Sequence, residues 1–254
     1  MLILDCSSRS KALNTLSAGF GCSPENLKKV LLSLDLEHIY ETDQSIMVDA
    51  NQYLKDYVSA ELGEPGPFSR AFWFHGTRTF AGNTFPKGLL ALNHSKSLAV
   101  KMLVDLAPDE LVRKRLRQWF ETGGVPDVLF QLRTGDSMHW GPYGHLVREL
   151  HFHARENGLH DYLRLPELVE DVCNAYLKQY GHDLTAYYLK VLHPCIIWFQ
   201  ADISYEKGAI ETALAYAYTS VRALPPDCHA TIGIDCEGKS VSRSSIAKIE
   251  FLPP

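Results

Sequence analysis

Apolar residues recur at helical spacing through SPENLKKVLLSL, residues 23–34, where Ser23 can cap, Pro24 takes the first helical position and Glu25 lies in the first turn. The same period runs over residues 46–62 and stops at Gly63-Glu64-Pro65-Gly66-Pro67, a run that cannot continue a helix. The pattern predicts a helical cap, residues 1–63, joined by this breaker to a main body, residues 68–254. Ala71-Phe72-Trp73-Phe74 then forms a continuous apolar run of strand type, ending in a turn at His75-Gly76-Thr77. A helix is expected over 95–121, closed by Gly123-Gly124, and another over 165–180, opened by Pro166-Glu167. Residues 210–221 form a third. Strands are expected over 128–132, 143–152, 193–199, 231–235 and 246–252. Helices and strands alternate without a regular βαβ beat, which predicts an α+β fold rather than a doubly wound sheet.

A chain of 254 residues can bury one core without a disulfide or metal staple. Its 46% hydrophobic and 22% charged residues exclude long disordered stretches. The net charge of -5 argues against a protein that grips nucleic acid by neutralising phosphates. The one basic run, LVRKRLRQ at 111–118, reads as a solvated helix face. Six cysteines contain no CxxC pair and suggest neither a zinc knuckle nor a disulfide framework. The apolar start MLILDC is too short for a signal peptide, and no apolar run approaches the roughly 18 residues of a membrane span. A cytoplasmic protein is expected, or an effector exported without a cleavable signal, with no membrane partner.

Candidate chemistry concentrates after the first strand. A histidine followed by glycine and threonine at a strand end can present an imidazole and backbone amides to a polar ligand; the simpler reading is a local hydrogen bond at His75 and a turn at Gly76. FAGNTFPKGLLAL, residues 80–92, has the composition of a ligand-covering loop, with Phe80 and Asn83 as contact candidates. Arg78 suits a bidentate phosphate contact or a surface ion pair. His139, His145, His151, His153 and His160 crowd together; His151 and His153 on a strand would put two imidazoles on one face, and with Asp161, Glu149 or Glu167 they could ligate a metal. No HExxH spacing is present, so no metal ligand is assigned, and a metal-dependent hydrolase is an alternative reading.

The string WFHGTR followed by FPKGLLAL resembles the first block of the ADP-ribosyltransferase superfamily, in its diphtheria-toxin-like and poly-ADP-ribose-polymerase-like branch. The resemblance implies a split antiparallel sheet core with helical insertions, NAD as co-substrate and release of nicotinamide. It places the NAD ribose on His75 and the nicotinamide amide on the Gly76 backbone; beside them Arg78, directly after the turn, suits the NAD pyrophosphate, and Thr77, Phe80 and Asn83 are further cofactor-contact candidates. Gly141-Pro142-Tyr143-Gly144-His145 resembles the family's tyrosine block, implying that Tyr143 stacks on the cationic ring. The gap from 75 to 143 is wider than the family's, and Tyr162 and Tyr176 are alternatives. In the tail ATIGIDCEGKSVSRSSIAKIEFL, Glu237 falls where the family carries the carboxylate that stabilises the oxocarbenium ion, with Glu250 as the alternative. The implied function is an effector- or toxin-type mono-ADP-ribosyltransferase with His75, Tyr143 and Glu237 as catalytic residues. Its implied acceptor is a protein side chain, on ubiquitin or another host protein. The alternatives are a non-catalytic NAD- or protein-binding module on the same fold and an RNA 2'-phosphotransferase-like enzyme, which the acidic charge balance disfavours.

Overall fold

A computed structural model describes residues 2–203 and 208–253. The fold is α+β, as the pattern predicts. In chain order β1 (Leu2–Leu4), α1 (Arg9–Gly19), α2 (Pro24–Ser33), α3 (Leu36–Thr42) and α4 (Ala50–Leu62) precede β2 (Phe68–Thr79). Then come α5 (Leu92–Asp105), α6 (Glu110–Glu121), α7 (Val128–Gly135), β3 (Tyr143–His145), α8 (Glu167–Tyr180) and α9 (Thr185–Val191). The chain closes with β4 (His193–Asp202), α10 (Ala209–Val221), β5 (Gly233–Asp235) and β6 (Ile246–Phe251). The sheet has six strands in the order β5-β3-β2-β4-β6, with β1 added parallel to β2. β3 runs antiparallel to β2, with Phe74 opposite His145.

Several expectations change. β2 is twelve residues long, so His75, Gly76, Thr77 and Arg78 lie inside a strand and not in a turn after it. The helix expected over 95–121 is two helices, because Pro108 cannot continue the first and Asp109 caps the second, accepting from Val112 N–H at 2.8 Å. Residues 128–132 are helical, not extended: the Asp127 carboxylate accepts from the Leu129 and Phe130 amides at 2.9 and 3.1 Å, and this cap outweighs a strand-like composition. The strand expected over 143–152 ends at His145 and gives way to a 3-10 turn over Arg148–Phe152, so His151 and His153 do not share a strand face. The expected cap on α2 is present: the Ser23 hydroxyl accepts from Asn26 N–H at 3.2 Å, with Pro24 first in the helix.

Contacts divide the chain into two units, Met1–Phe74 with Gly144–Leu159 and Phe199–Ile234, and His75–Tyr143 with His160–Trp198 and Asp235–Pro254. Residues 1–63, expected as a separate cap, therefore share a unit with later segments of the chain. In this first unit α10 is buried along Ala213, Leu214, Tyr216 and Ala217, and it packs on α1, α2 and α4; its small alanines let the neighbouring backbones approach. Arg9 holds Glu149 through two hydrogen bonds of 2.6 and 3.0 Å, and Tyr216 O–H donates to the same carboxylate at 2.8 Å. Arg222 donates to the Leu31 and Leu34 carbonyls, satisfying the end of α2.

The second unit has its own core. Val100, Leu103 and Val104 of α5 meet Leu116 and Trp119 of α6, Phe130 of α7, Val172 and Tyr176 of α8, and Tyr188 of α9. Every residue of the candidate site lies in this unit.

Candidate functional site

β2 delivers His75, Gly76, Thr77 and Arg78 in succession to the wall of a cavity of about 1070 Å³. Apolar pressure from Trp73 and Phe74, both fully buried, sets the strand's register and thereby the facing of the next four residues. The cavity is closed on other sides by the 80–90 loop, α5, His139-Trp140, Pro142-Tyr143 and the start of α8 with Tyr162. Of the residues the sequence singles out, His75, Gly76, Thr77, Arg78, Phe80, Asn83 and Tyr143 all line it.

His75 and Tyr143, 68 residues apart, meet directly: His75 Nδ1 lies 2.6 Å from the Tyr143 backbone oxygen. A carbonyl oxygen only accepts, so Nδ1 carries the proton. The Tyr143 hydroxyl donates to the Met138 carbonyl, while the residue remains 40% exposed along the cavity. Partial burial, and then the carboxylates of Asp235, Glu167 and Asp136, raise the Tyr143 pKa, so the phenol stays neutral. An aromatic face of this kind suits a flat or cationic ring.

Arg78 is 9% exposed and its guanidinium is committed to the fold. It donates to the Leu192 carbonyl at 3.0 and 2.6 Å, to Leu189 at 2.6 Å and to Leu163 at 2.7 Å. These carbonyls include the end of α9, where orphan acceptors and the negative dipole end attract a cation. Burial lowers the Arg78 pKa, with Asp161 opposing. The pyrophosphate clamp expected of Arg78 is thus corrected to a structural role: its donors are already engaged. Asn83 is likewise a loop staple, donating to Thr79 Oγ1 at 2.9 Å and accepting from Phe85 N–H at 3.0 Å. The loop's return is anchored where Leu89 and Val241 exchange backbone bonds of 3.0 and 2.9 Å. Gly88 is required there, since at φ +83 a Cβ would stand 2.2 Å from the Val241 oxygen.

The structure does not bring Glu237 to the cavity. Its turn is tied beside Tyr143, with Cys236 N–H on the Pro142 carbonyl at 3.1 Å and Gly238 N–H on Gly141 at 2.8 Å. The side chain, however, is 75% exposed and faces Lys239 at 3.4 Å. Glu250 also lies elsewhere, accepting from the Trp198 indole at 3.0 Å. Tyr176 is buried in the unit's core beside Trp119.

Two carboxylates line the cavity: Asp105 of α5, paired with Lys101, and Glu167, the first residue of α8. Arg133 donates to one of the Glu167 oxygens at 2.9 Å and Tyr162 O–H to the other at 2.9 Å. Arg133 also holds Asp171 at 2.6 and 2.7 Å, and Asp171 is 4% exposed at its side chain. Burial, and then Glu167, raise the Tyr162 pKa, so this phenol remains a donor. Glu167 thus has an orientation fixed from both sides. In the sequence it reads only as a helix-opening acid, a placement that the helix dipole favours in any protein. Trp140, which no motif in the sequence marks, lines the cavity, and among the described residues its buried indole N–H has no hydrogen-bond partner. Such a donor accommodates a ligand or water acceptor.

The histidines do not converge as a group: His145 and His151 meet edge to face with ring centroids 5.3 Å apart, and their ring nitrogens face backbone. His151 Nε2 lies 2.9 Å from the Phe74 carbonyl oxygen and His160 Nε2 2.7 Å from that of Leu165. Among the described residues no group of three or more His, Cys, Asp or Glu is placed to hold a metal ion, and no helix is long and apolar enough to cross a membrane.

A search of protein-family models, of curated proteins and of solved structures returned no match to this chain.

Proposed function

We propose that the protein is an NAD-dependent ADP-ribosyltransferase whose reaction takes place in the cavity walled by His75, Gly76, Thr77, Tyr143 and Glu167. The observation that carries this reading is the direct contact of His75 with Tyr143, which joins the two sequence blocks that resemble the transferase superfamily in the wall of one cavity. The strand order supports it as well, since the His75 strand, the Tyr143 strand and the strand leading to Glu237 are neighbours in the sheet.

In this reading the nicotinamide ring lies against the Tyr143 face and its ribose against His75. The bond between the ribose C1' and the ring nitrogen breaks, its electron pair leaving with nicotinamide, and positive charge develops on the sugar. A fixed anion near that charge stabilises the transition state because it needs no reorganisation as the bond breaks. Glu167 supplies a carboxylate of the cavity wall, held by Arg133 and Tyr162, in place of Glu237. The acceptor then forms its bond to C1' and releases a proton to solvent.

The exposed position of Glu237 favours one second reading, a non-catalytic NAD-binding module on the same fold. Incubating the purified protein with NAD and measuring free nicotinamide by chromatography separates the two. Release that disappears in His75→Ala supports the transferase. NAD binding by calorimetry without release supports the module, and no binding at all removes both.

A further inference from the structure

α5 carries apolar side chains on two faces. Val100, Leu103 and Val104 enter the core, as one stripe of an amphipathic helix should. Leu98, Met102 and Leu106, spaced four residues apart, line the cavity, Met102 and Leu106 with part of their surface against the core and Leu98 the most open. Leu98 remains 47% exposed and Phe80, across the cavity in the loop, 45%. Apolar surface left facing water in a concave, walled space is the usual mark of a site for an apolar ligand. The only ionic groups on this helix face, Lys101 and Asp105, pair with each other and leave no net charge for an ionic partner. The cavity, at about 1070 Å³, exceeds the roughly 300–1,000 Å³ of pockets that hold one drug-sized ligand. The apolar α5 stripe and the polar His75 end both line this one cavity.

Resting on the transferase reading, we propose that the space between the Leu98–Met102–Leu106 stripe and Phe80 is the acceptor subsite, and that the acceptor is a small, mostly apolar molecule bearing one hydroxyl. The balanced step is NAD plus the alcohol giving O-linked ADP-ribose, nicotinamide and a proton. The alcohol oxygen bonds to C1' as the C1'–nitrogen bond breaks, and its proton passes to solvent. A protein side chain, the acceptor that the resemblance implies, would place a mobile polar backbone in this apolar half and leave its peptide groups unpaired.

The probe is 2-naphthol, titrated by its own fluorescence without NAD and then incubated with NAD. Saturable binding that weakens by about tenfold or more in Leu98→Asp is expected, since a charge replaces apolar contact in the subsite. Leu98→Trp, which fills the space without charging it, gives the same loss, and circular dichroism checks that both variants fold. With NAD, mass spectrometry detects naphthyl-ADP-ribose. Naphthol binding that neither variant alters overturns the proposal, as does transfer of label from NAD to soluble cell protein while naphthol stays unmodified. Variant-sensitive naphthol binding without any nicotinamide release retains the apolar subsite and overturns the transferase reading instead. Nicotinamide release without naphthol binding does the reverse.

Discussion

His75 and Tyr143 are joined through the tyrosine's backbone oxygen, not its ring, at 2.6 Å. Changes to the Tyr143 side chain therefore leave the histidine's partner in place. Tyr143→Phe keeps the aromatic face and should retain nicotinamide release within about threefold, whereas Tyr143→Ala removes a ring–cation attraction of about 0.5–2 kcal/mol and slows it by about tenfold. His75→Ala should reduce release by about a hundredfold or more, the loss typical of a positioned donor in a reacting site. Initial rates by chromatography check all three, and equal rates for Tyr143→Ala and Tyr143→Phe would remove the stacking role.

Glu167 and Glu237 make opposite predictions. Glu167→Gln preserves the shape and the Tyr162 contact but deletes the charge, and should lower the rate by about 10²–10³. Glu237→Ala removes a solvent-exposed side chain whose ion pair with Lys239 contributes little, and should leave the rate within about twofold. If the two results exchange places, the cavity must rearrange when NAD binds so that the Glu237 turn closes over it.

Arg78 should matter for stability and not for phosphate binding. Arg78→Ala strands carbonyls of Leu163, Leu189 and Leu192 and should cost about 2–4 kcal/mol, read from urea denaturation midpoints. Arg78→Lys should rescue little, because one ammonium cannot span the separated carbonyls that the planar fork reaches. NAD affinity measured per folded molecule should be unchanged in the lysine variant, and a large loss there would restore the clamp.

His145 sets a pH dependence. Burial lowers its pKa below 6.5, with backbone hydrogen bonds at Thr231 and Ile232 opposing, so the folded protein holds it neutral. The unfolded chain takes up that proton first. The stability it contributes is present above about pH 6.5 and is lost as the pH falls through the lowered folded value. Urea midpoints measured from pH 8 to about pH 5 should decline on the acid side, and His145→Gln should flatten part of that decline. An identical slope in the variant would assign the acid sensitivity to other groups.

The elements with the strongest periodic or compositional marks were legible in the residues alone. The Ser23-Pro24 helix start, the apolar strand into His75, the strand at 193–199 and the α+β alternation all follow from local chemistry: a capping hydroxyl, a continuous apolar run, a breaker. The local exceptions were those where one side chain overrode composition, as Asp127 did by capping residues 128–130 into a helix. Most of the residues placed at the site from the sequence do line the cavity, because a single strand and the loop after it carry nearly all of them.

What the sequence determined by itself, then, was which short segments bear the chemistry. Strand and turn residues are chosen by interactions a few positions apart, and those can be read along the chain. Only the tertiary structure decided which side chains of those segments are available. Arg78 looked like an open phosphate ligand until α9 brought its carbonyls to the guanidinium, and Glu237 looked catalytic until its turn faced solvent. Glu167 became the cavity's fixed carboxylate because Arg133 and Tyr162, separated from it by 34 and 5 positions, converge on it. No spacing in the chain encodes such a meeting, since it is set by how helices pack and not by any one of them.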